Sequence, residues 1–420
     1  MRRDDAPQAA VRDATGEAGS LATVSIVFCF LAALCEGFDV QAAGLAALGV
    51  SRLFRPTPEQ LGAFFSLGNA GLLAGAVVGG RLADRFGRKI VLMCSIGLFG
   101  VFSLATSRAW SMESLTWMRA ITGLGLGGSM PNLIALASEV SAARSRNAKV
   151  AVTYIGMPLG GAMASLVVLL LTVDQWRWIF VIGGVAPLFI ATGMTMWMPA
   201  APAARSRKGA SVENGRAAAS AWRELFGRER LRRTALLWTG FFLMQVTFQI
   251  ALNWLPLLLQ ARGLSKGPIA AAQIGFNAGG AAGALLLGVL LDTRAARPSI
   301  AVTVCALPIV LLSLAHAPAE AGPVIALTLL VGASVLAYQI ILYGVGNHLY
   351  SSAARGAGLG AAVAVGRAGA IAGPAFAAVL LGAGRSSDQV LVGVLPIAIA
   401  CGLCVAALGW RAFRPASNAS

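Results

Sequence analysis

Residues 79–89 read GGRLADRFGRK and stand between two apolar runs, 60–80 and 90–107. Arg81, Arg85, Arg88, Lys89 and Asp84 crowd into this short stretch. At ~1.5 Å per residue, each flanking run is long enough to cross a ~30 Å hydrocarbon layer as a helix. The segment therefore reads as a charged turn between two spanning helices, on the side of the bilayer where basic residues stay. Gly87 supplies the backbone freedom such a turn requires. Gly80 is expected to let the second span pack closely on a neighbour.

Outward from this turn the same pattern repeats. Apolar runs occupy residues 22–48, 60–80, 90–107, 113–137, 149–172, 177–198, 234–259, 269–291, 299–316, 321–346, 357–382 and 388–410. Only 12% of residues are charged, about half the ~25% usual in soluble domains. The expected fold class is an all-α polytopic membrane protein with 12 transmembrane helices in two six-helix bundles. The net charge of +16 would suggest nucleic acid if it were spread evenly, but it is not. With a cytoplasmic N-terminus, 24 of the 33 Lys and Arg fall in inner segments and 7 in outer loops, the remaining pair being Arg119 and Arg367 within spans. That bias sets both termini in the cytoplasm, in a bacterial-type inner membrane, and makes the basic excess topogenic. The first twenty residues lack an apolar core, so the first span, not a cleaved leader, is the expected insertion signal.

The same reading sets aside several chemistries. All six cysteines lie in spans, which argues against a disulfide framework, and CGLC at 401–404 is a pair of small packing residues. His316 and His348 are too far apart for metal spacing. No metal, cofactor or enzymatic cluster is expected, and the protein is expected to act as a monomer.

Residues 199–233 form the only long polar interior segment, with six spans before it and six after. The expected organisation is a tail at 1–21, a first bundle at 22–198, and a cytoplasmic linker at 199–233. The linker ends in a basic amphipathic helix, AWRELFGRERLRR, and a second bundle at 234–411 and a tail at 412–420 follow. Gly80-x-x-x-Asp84 recurs as Gly288-x-x-x-Asp292, 208 residues on. Related halves place a transporter's substrate site between them, near the midplane.

Residues 31–49, LAALCEGFDVQAAGLAALG, carry two acids into the first span. Each would cost about 2.5–3.5 kcal/mol at the centre of an isolated spanning helix. Of 17 acids, Glu36 and Asp39 alone lie well inside a span, and at i and i+3 they share a helix face. A carboxyl pair shielded from water can take up a proton and release it when water access changes. Asp39 lies roughly 13 Å from the outer end of span one and Arg119 roughly 9 Å from that of span four. At similar depth, the two are expected to pair, either as a switch or as a static strut. Arg367, ten or so residues into span eleven, is the other intramembrane cation. It is either the anchor for a bound anion or a strut to carbonyls. Polar stripes at Gln245/Gln249/Asn253, Gln273/Asn277 and Gln339/Tyr343/Asn347 either bind a polar group of a ligand or line a wet cavity. Phe38, Tyr154, Phe241, Phe248, Trp254 and Tyr338 are aromatic candidates for flanking a ring, or for packing. GLGLGG at 123–128 follows no strand and is better explained by close helix packing than by dinucleotide binding.

The turn at 79–89 resembles the loop signature of the major facilitator superfamily, matched at Gly80, Leu82, Asp84, Arg85, Gly87, Arg88 and Lys89. EGFDVQAAG (36–44), RAITGLGLGGSMPNLIALASEVSAARSR (119–146), WRWIFVIGGVAPL (176–188), NWLPLLL (253–259) and RGAGLGAAVAVGRAGAIAGP (355–374) resemble its aromatic acid:proton symporters. Within that branch, QAAG, PNLIAL, NWLPLLL and AVAVGR are similar to the 3-(3-hydroxyphenyl)propionate transporters. The resemblance implies import of a small aromatic carboxylate with a proton, by alternating access. It implies proton coupling at Asp39 and Glu36, and a cytoplasmic latch at Asp84 and its motif neighbours, with Asp292 in the weaker second copy. Arg119, Arg367, Gln245, Gln249, Asn253, Tyr338 and Tyr343 are the expected substrate contacts. The rival reading is a drug or metabolite:proton antiporter. YIGMPLGG (154–161) speaks against it, because the Gly/Pro motif of drug antiporters is incomplete there.

Overall fold

A computed structural model of the protein describes residues 5–141, 146–198, 224–351 and 354–413. Its helices, in chain order, are α1 (Asp5–Phe54), α2 (Pro58–Phe86), α3 (Arg88–Ser107), α4 (Met112–Glu139), α5 (Arg146–Leu170) and α6 (Arg177–Trp197). Then come α7 (Arg228–Asn253), α8 (Leu255–Ala261), α9 (Lys266–Leu291), α10 (Ala296–His316), α11 (Ala321–Leu349), α12 (Arg355–Gly382) and α13 (Ser387–Ala412). Twelve stretches among the described residues are long and apolar enough to span a membrane, the first being Thr23–Phe54.

The two sets of six pack in the same order. In the first, α1 lies on α5, α2 on α4 and α3 on α6; in the second, α7 lies on α12, α9 on α11 and α10 on α13. The sets meet through α2 against α12 and α5 against α9. With lipid as solvent, such contacts come from close backbone approach rather than from hydrophobic burial. Gly71, Gly75 and Gly79 of α2 face the backbone of Ala120, Leu124 and Gly128, and Gly123 and Gly127 of α4 face Gly68 and Leu72 in return. The GLGLGG string thus serves helix packing. Gly279 against Leu329 and Gly332 against Phe276 repeat the arrangement between α9 and α11.

Gly80 does not pack as expected. Its Cα faces open space, and Gly79 makes the approach to Gly128 instead. The contact face of α2 runs through residues 71, 75 and 79 at helical spacing, and position 80 is rotated off it. Gly87 does serve the turn, at φ 88°.

The seventh span breaks at Trp254 and resumes as α8, where the apolar run had suggested continuity to residue 259. Pro256 has no N–H to give the Leu252 carbonyl, which accepts from Gln273 Nε2 at 3.5 Å instead. The expected linker lies outside the described residues as far as 223. The run RERLRR that follows opens α7 itself. Helix α1 likewise continues back to Asp5, into the stretch expected as a tail.

Candidate functional site

Four helices of the first set converge on Asp39, which has no exposed surface. Arg119 of α4 donates through Nη1 to Asp39 Oδ2 at 2.6 Å and through Nη2 to the Asp39 carbonyl at 3.2 Å. Ser103 of α3 lies 2.9 Å from Asp39 Oδ1 and 3.2 Å from the Phe180 carbonyl of α6. The guanidinium also stands 5.6 Å over the Phe180 ring. A buried ion pair survives desolvation only with geometry of this quality and its remaining lone pairs occupied. The pairing expected from depth alone is therefore present.

Glu36, one helical turn away and equally buried, has a different environment. Ser129 of α4 donates to its Oε2 at 2.8 Å, and the same hydroxyl lies 2.8 Å from the Leu126 carbonyl. Across the space between the two sets, Glu36 is within electrostatic reach of Arg367. Arg367 is also in reach of Tyr154 and Tyr343, and Gln339 stands one helical turn before Tyr343 on α11. Tyr343 meets Phe241 edge-on at 5.1 Å. Arg367 forms no ion pair or hydrogen bond with any described residue. One cation is thus committed to a carboxylate, and the other, unbonded to any described residue, is in electrostatic reach of an exposed phenol, Tyr154, and a half-buried one, Tyr343.

The sets are sealed at the end beyond Asp39 by two amide chains. Gln249 Nε2 donates to Asn69 Oδ1 at 3.0 Å, and Asn253 Nδ2 donates to Gln249 Oε1 at 2.9 Å. Gln41 Nε2 donates to Gln273 Oε1 at 3.0 Å, and Asn277 Nδ2 donates to Gln41 Oε1 at 3.4 Å. Ser66 Oγ donates to the Ile371 carbonyl at 2.8 Å and Lys266 reaches the Leu169 and Leu171 carbonyls across the seam, while within the second set Trp254 Nε1 donates to the Pro374 carbonyl at 3.1 Å. A cavity of about 30 Å³ between Arg119, Asn69, Gln249 and Asn253 is polar and roomy enough for water. A double-mutant cycle on Asn69→Ala and Gln249→Ala is expected to show about 1 kcal/mol of coupling, read from thermal unfolding. Additive losses would mean that the amides do not hold the seam.

The opposite end is less tightly tied. Asp84, Arg85 and Asp292 are exposed, and no ion pair joins Asp84 or Asp292 to another described residue. Arg88 pairs with Glu139 of its own half at 3.2 Å, and Lys89 donates to the Met198 carbonyl. Asp84 and Asp292 thus form no ion pair across the halves with a described residue.

Several expected contacts lie elsewhere. Tyr338 is buried within the second set, donating to the Val304 carbonyl at 3.0 Å. Five residues from Tyr343, it is turned by about 140° and faces away from the shared space. Gln249 and Asn253 are engaged in the seam, and Arg119 is engaged by Asp39. Gln245 is half-buried one turn before Gln249. Sequence reasoning missed Ser103, Ser129, Gln41 and Asn69. Only Gln41 had any signal, as the polar residue in an otherwise small-residue QAAG.

This arrangement, twelve spanning helices in two matching sets with charged groups between them, is that of a secondary transporter. Residues 29–374 match the Major Facilitator Superfamily, and the chain belongs to that superfamily. It is a multi-pass membrane protein and not an enzyme. It is 38% identical over 391 residues to the 3-(3-hydroxy-phenyl)propionate transporter of Escherichia coli (strain K12), covering 93% of this chain and 95% of that one. It is 30% identical to the 4-hydroxybenzoate transporter PcaK of Pseudomonas putida, covering 89% and 90%. A bacterial homolog to the human lysosomal transporter Spinster, inward-facing and occupied, shares the fold at TM-score 0.78 and 15% identity, covering 93% of this chain and 97% of that one. A D-xylose-proton symporter shares it at TM-score 0.72 and 16% identity, again covering 93% and 97%.

Proposed function

We propose that the protein imports a small aromatic carboxylate, of the hydroxyphenylpropionate or hydroxybenzoate kind, together with a proton across a bacterial inner membrane. Both termini would lie in the cytoplasm. The observation that carries this reading is the guanidinium of Arg367, unbonded to any described residue and within electrostatic reach of Glu36, Tyr154 and Tyr343. Arg367 would hold the substrate carboxylate, for which a planar fork of donors is well suited. The phenols and Gln339 would receive the ring and its hydroxyl. The names of the similar transporters agree with an aromatic acid in this space.

Asp39 would carry the proton. While it is ionised, Arg119 holds it. On protonation its attraction for Arg119 collapses, and the pair becomes free to separate as α1 and α4 move. Substrate binding and proton loading would then bias the same two-state packing, as a coupled carrier requires. With the outer amide seam shut and the other end apart, the molecule would be in the state that releases substrate inward. The motif acid Asp84 would engage only when the cytoplasmic end closes.

Vesicles bearing the purified protein test the direction. An inward proton gradient is expected to accumulate labelled 3-(3-hydroxyphenyl)propionate or 4-hydroxybenzoate several-fold above the outside concentration. Depletion of preloaded compound under the same gradient would indicate antiport and overturn the proposal.

A further inference from the structure

Each of the two intramembrane acids has its own serine, and each serine stands between the carboxylate and a backbone carbonyl. Ser103 Oγ is 2.9 Å from Asp39 Oδ1 and 3.2 Å from the Phe180 carbonyl. Ser129 Oγ is 2.8 Å from Glu36 Oε2 and 2.8 Å from the Leu126 carbonyl. Both hydroxyls are buried. A hydroxyl has one proton to give and two lone pairs to receive with, yet each of these faces two acceptors. In any one state it donates to only one of them.

We infer that Ser103 and Ser129 are positioning residues for proton coupling: rotatable hydroxyls that satisfy Asp39 and Glu36 in both their charged and their neutral forms. This inference rests on the proposed proton coupling and adds residues to it. With Asp39 ionised, Ser103 donates to Oδ1 while Arg119 holds Oδ2. When a proton settles on Oδ1, that O–H donates to Ser103 Oγ, and the serine proton swings to the Phe180 carbonyl. The carbonyl gains a partner as the carboxylate loses its charge, and no heavy atom leaves its place. Without the hydroxyl, the neutral carboxyl would be left buried with no acceptor on Oδ1, which is costly in a water-poor site. The same exchange operates between Glu36, Ser129 and Leu126.

The other charged or titratable groups facing these acids do not supply this function. Asp39 faces Arg119 of α4, with Glu36 and Cys35 on its own helix. Glu36 faces Arg367 of α12 and Tyr154 of α5. A guanidinium only donates, so Arg119 serves the charged form alone. The serine is the one group beside Oδ1 able to change role.

The test compares two fluxes of the same reconstituted protein: proton-gradient-driven accumulation, and counterflow exchange of labelled 4-hydroxybenzoate at equal pH on both sides. Driven transport requires the proton to load and leave in every cycle, whereas exchange can proceed with it in place. Ser103→Ala is expected to lower the driven rate about tenfold more than the exchange rate, and Ser103→Thr, which keeps the hydroxyl, is expected to restore the ratio. Ser129→Ala and Ser129→Thr should behave alike, with the smaller change. If the alanine variant does not yield folded protein, Ser103→Cys, a weak donor of similar size, is expected to lose more driven flux than exchange flux, with Ser103→Thr and wild type losing neither. Equal losses in both fluxes, or Ala and Thr variants that match, would show that the serines only fill space and would overturn the inference. Failure of the parent reading is separately visible, because wild-type protein would then show no gradient-driven flux.

Discussion

Arg119→Ala is expected to be the most damaging single substitution in the protein, lowering its stability by about 3–5 kcal/mol. Its guanidinium makes two contacts with Asp39, one of them an ion pair at 2.6 Å, in a site with almost no exposed surface. Truncation leaves a buried carboxylate with Ser103 as its remaining hydrogen-bond partner. The cost is that of the abandoned charge and not the worth of the pair, so Asp39→Asn on the Arg119→Ala background should recover most of the loss. Thermal unfolding of the purified variants reads both quantities. A double variant no more stable than Arg119→Ala would mean that Arg119 acts through packing on the Phe180 ring and not through the carboxylate.

Arg367→Ala is expected to act on binding instead. A hydrogen bond to a charged group is worth about 1.5–3 kcal/mol, so affinity for a hydroxybenzoate should fall about 10- to 100-fold while thermal stability changes little. Arg367→Lys keeps the charge but not the planar fork and should recover only part of the affinity. The basis is the contrast between the two intramembrane arginines. Arg119 is paired, whereas Arg367 is within reach of Glu36, Tyr154 and Tyr343 without being bonded to a described residue. If Arg367→Ala unfolds early and binds normally, the side chain is a strut between helices, the alternative its position in span eleven had left open.

How much of this was legible in the sequence follows from what each residue costs in a bilayer. The spans were legible because apolar runs of membrane length have no cheaper explanation. Glu36, Asp39, Arg119 and Arg367 were legible because a charge in a span is expensive and therefore rare, and rise per residue put Asp39 level with Arg119. Ser103, Ser129 and Asn69 were not. Neutral polar residues cost little in a packed bundle and leave no mark on composition, and their partners come from helices 64, 93 and 180 residues away. Tyr338, a ring candidate, and Tyr343, in a polar stripe, were both expected to contact substrate, but helical rotation separates them, and only tertiary packing says which one faces the other half. The same limit applies to Gly79 and Gly80. Pro256 was visible, yet the apolar run around it outweighed it, so the break that frees the Leu252 carbonyl for Gln273 went unread.

In the proposed coupling, Asp39 takes up and gives back the proton and is held in its charged form by Arg119. The most direct measurement is transport by Asp39→Asn in vesicles, with gradient-driven accumulation and counterflow exchange followed side by side. The amide keeps the shape of the carboxyl but cannot cycle a proton. The prediction is that accumulation under an inward proton gradient is lost while exchange of labelled substrate continues. Accumulation at the wild-type level would contradict the account.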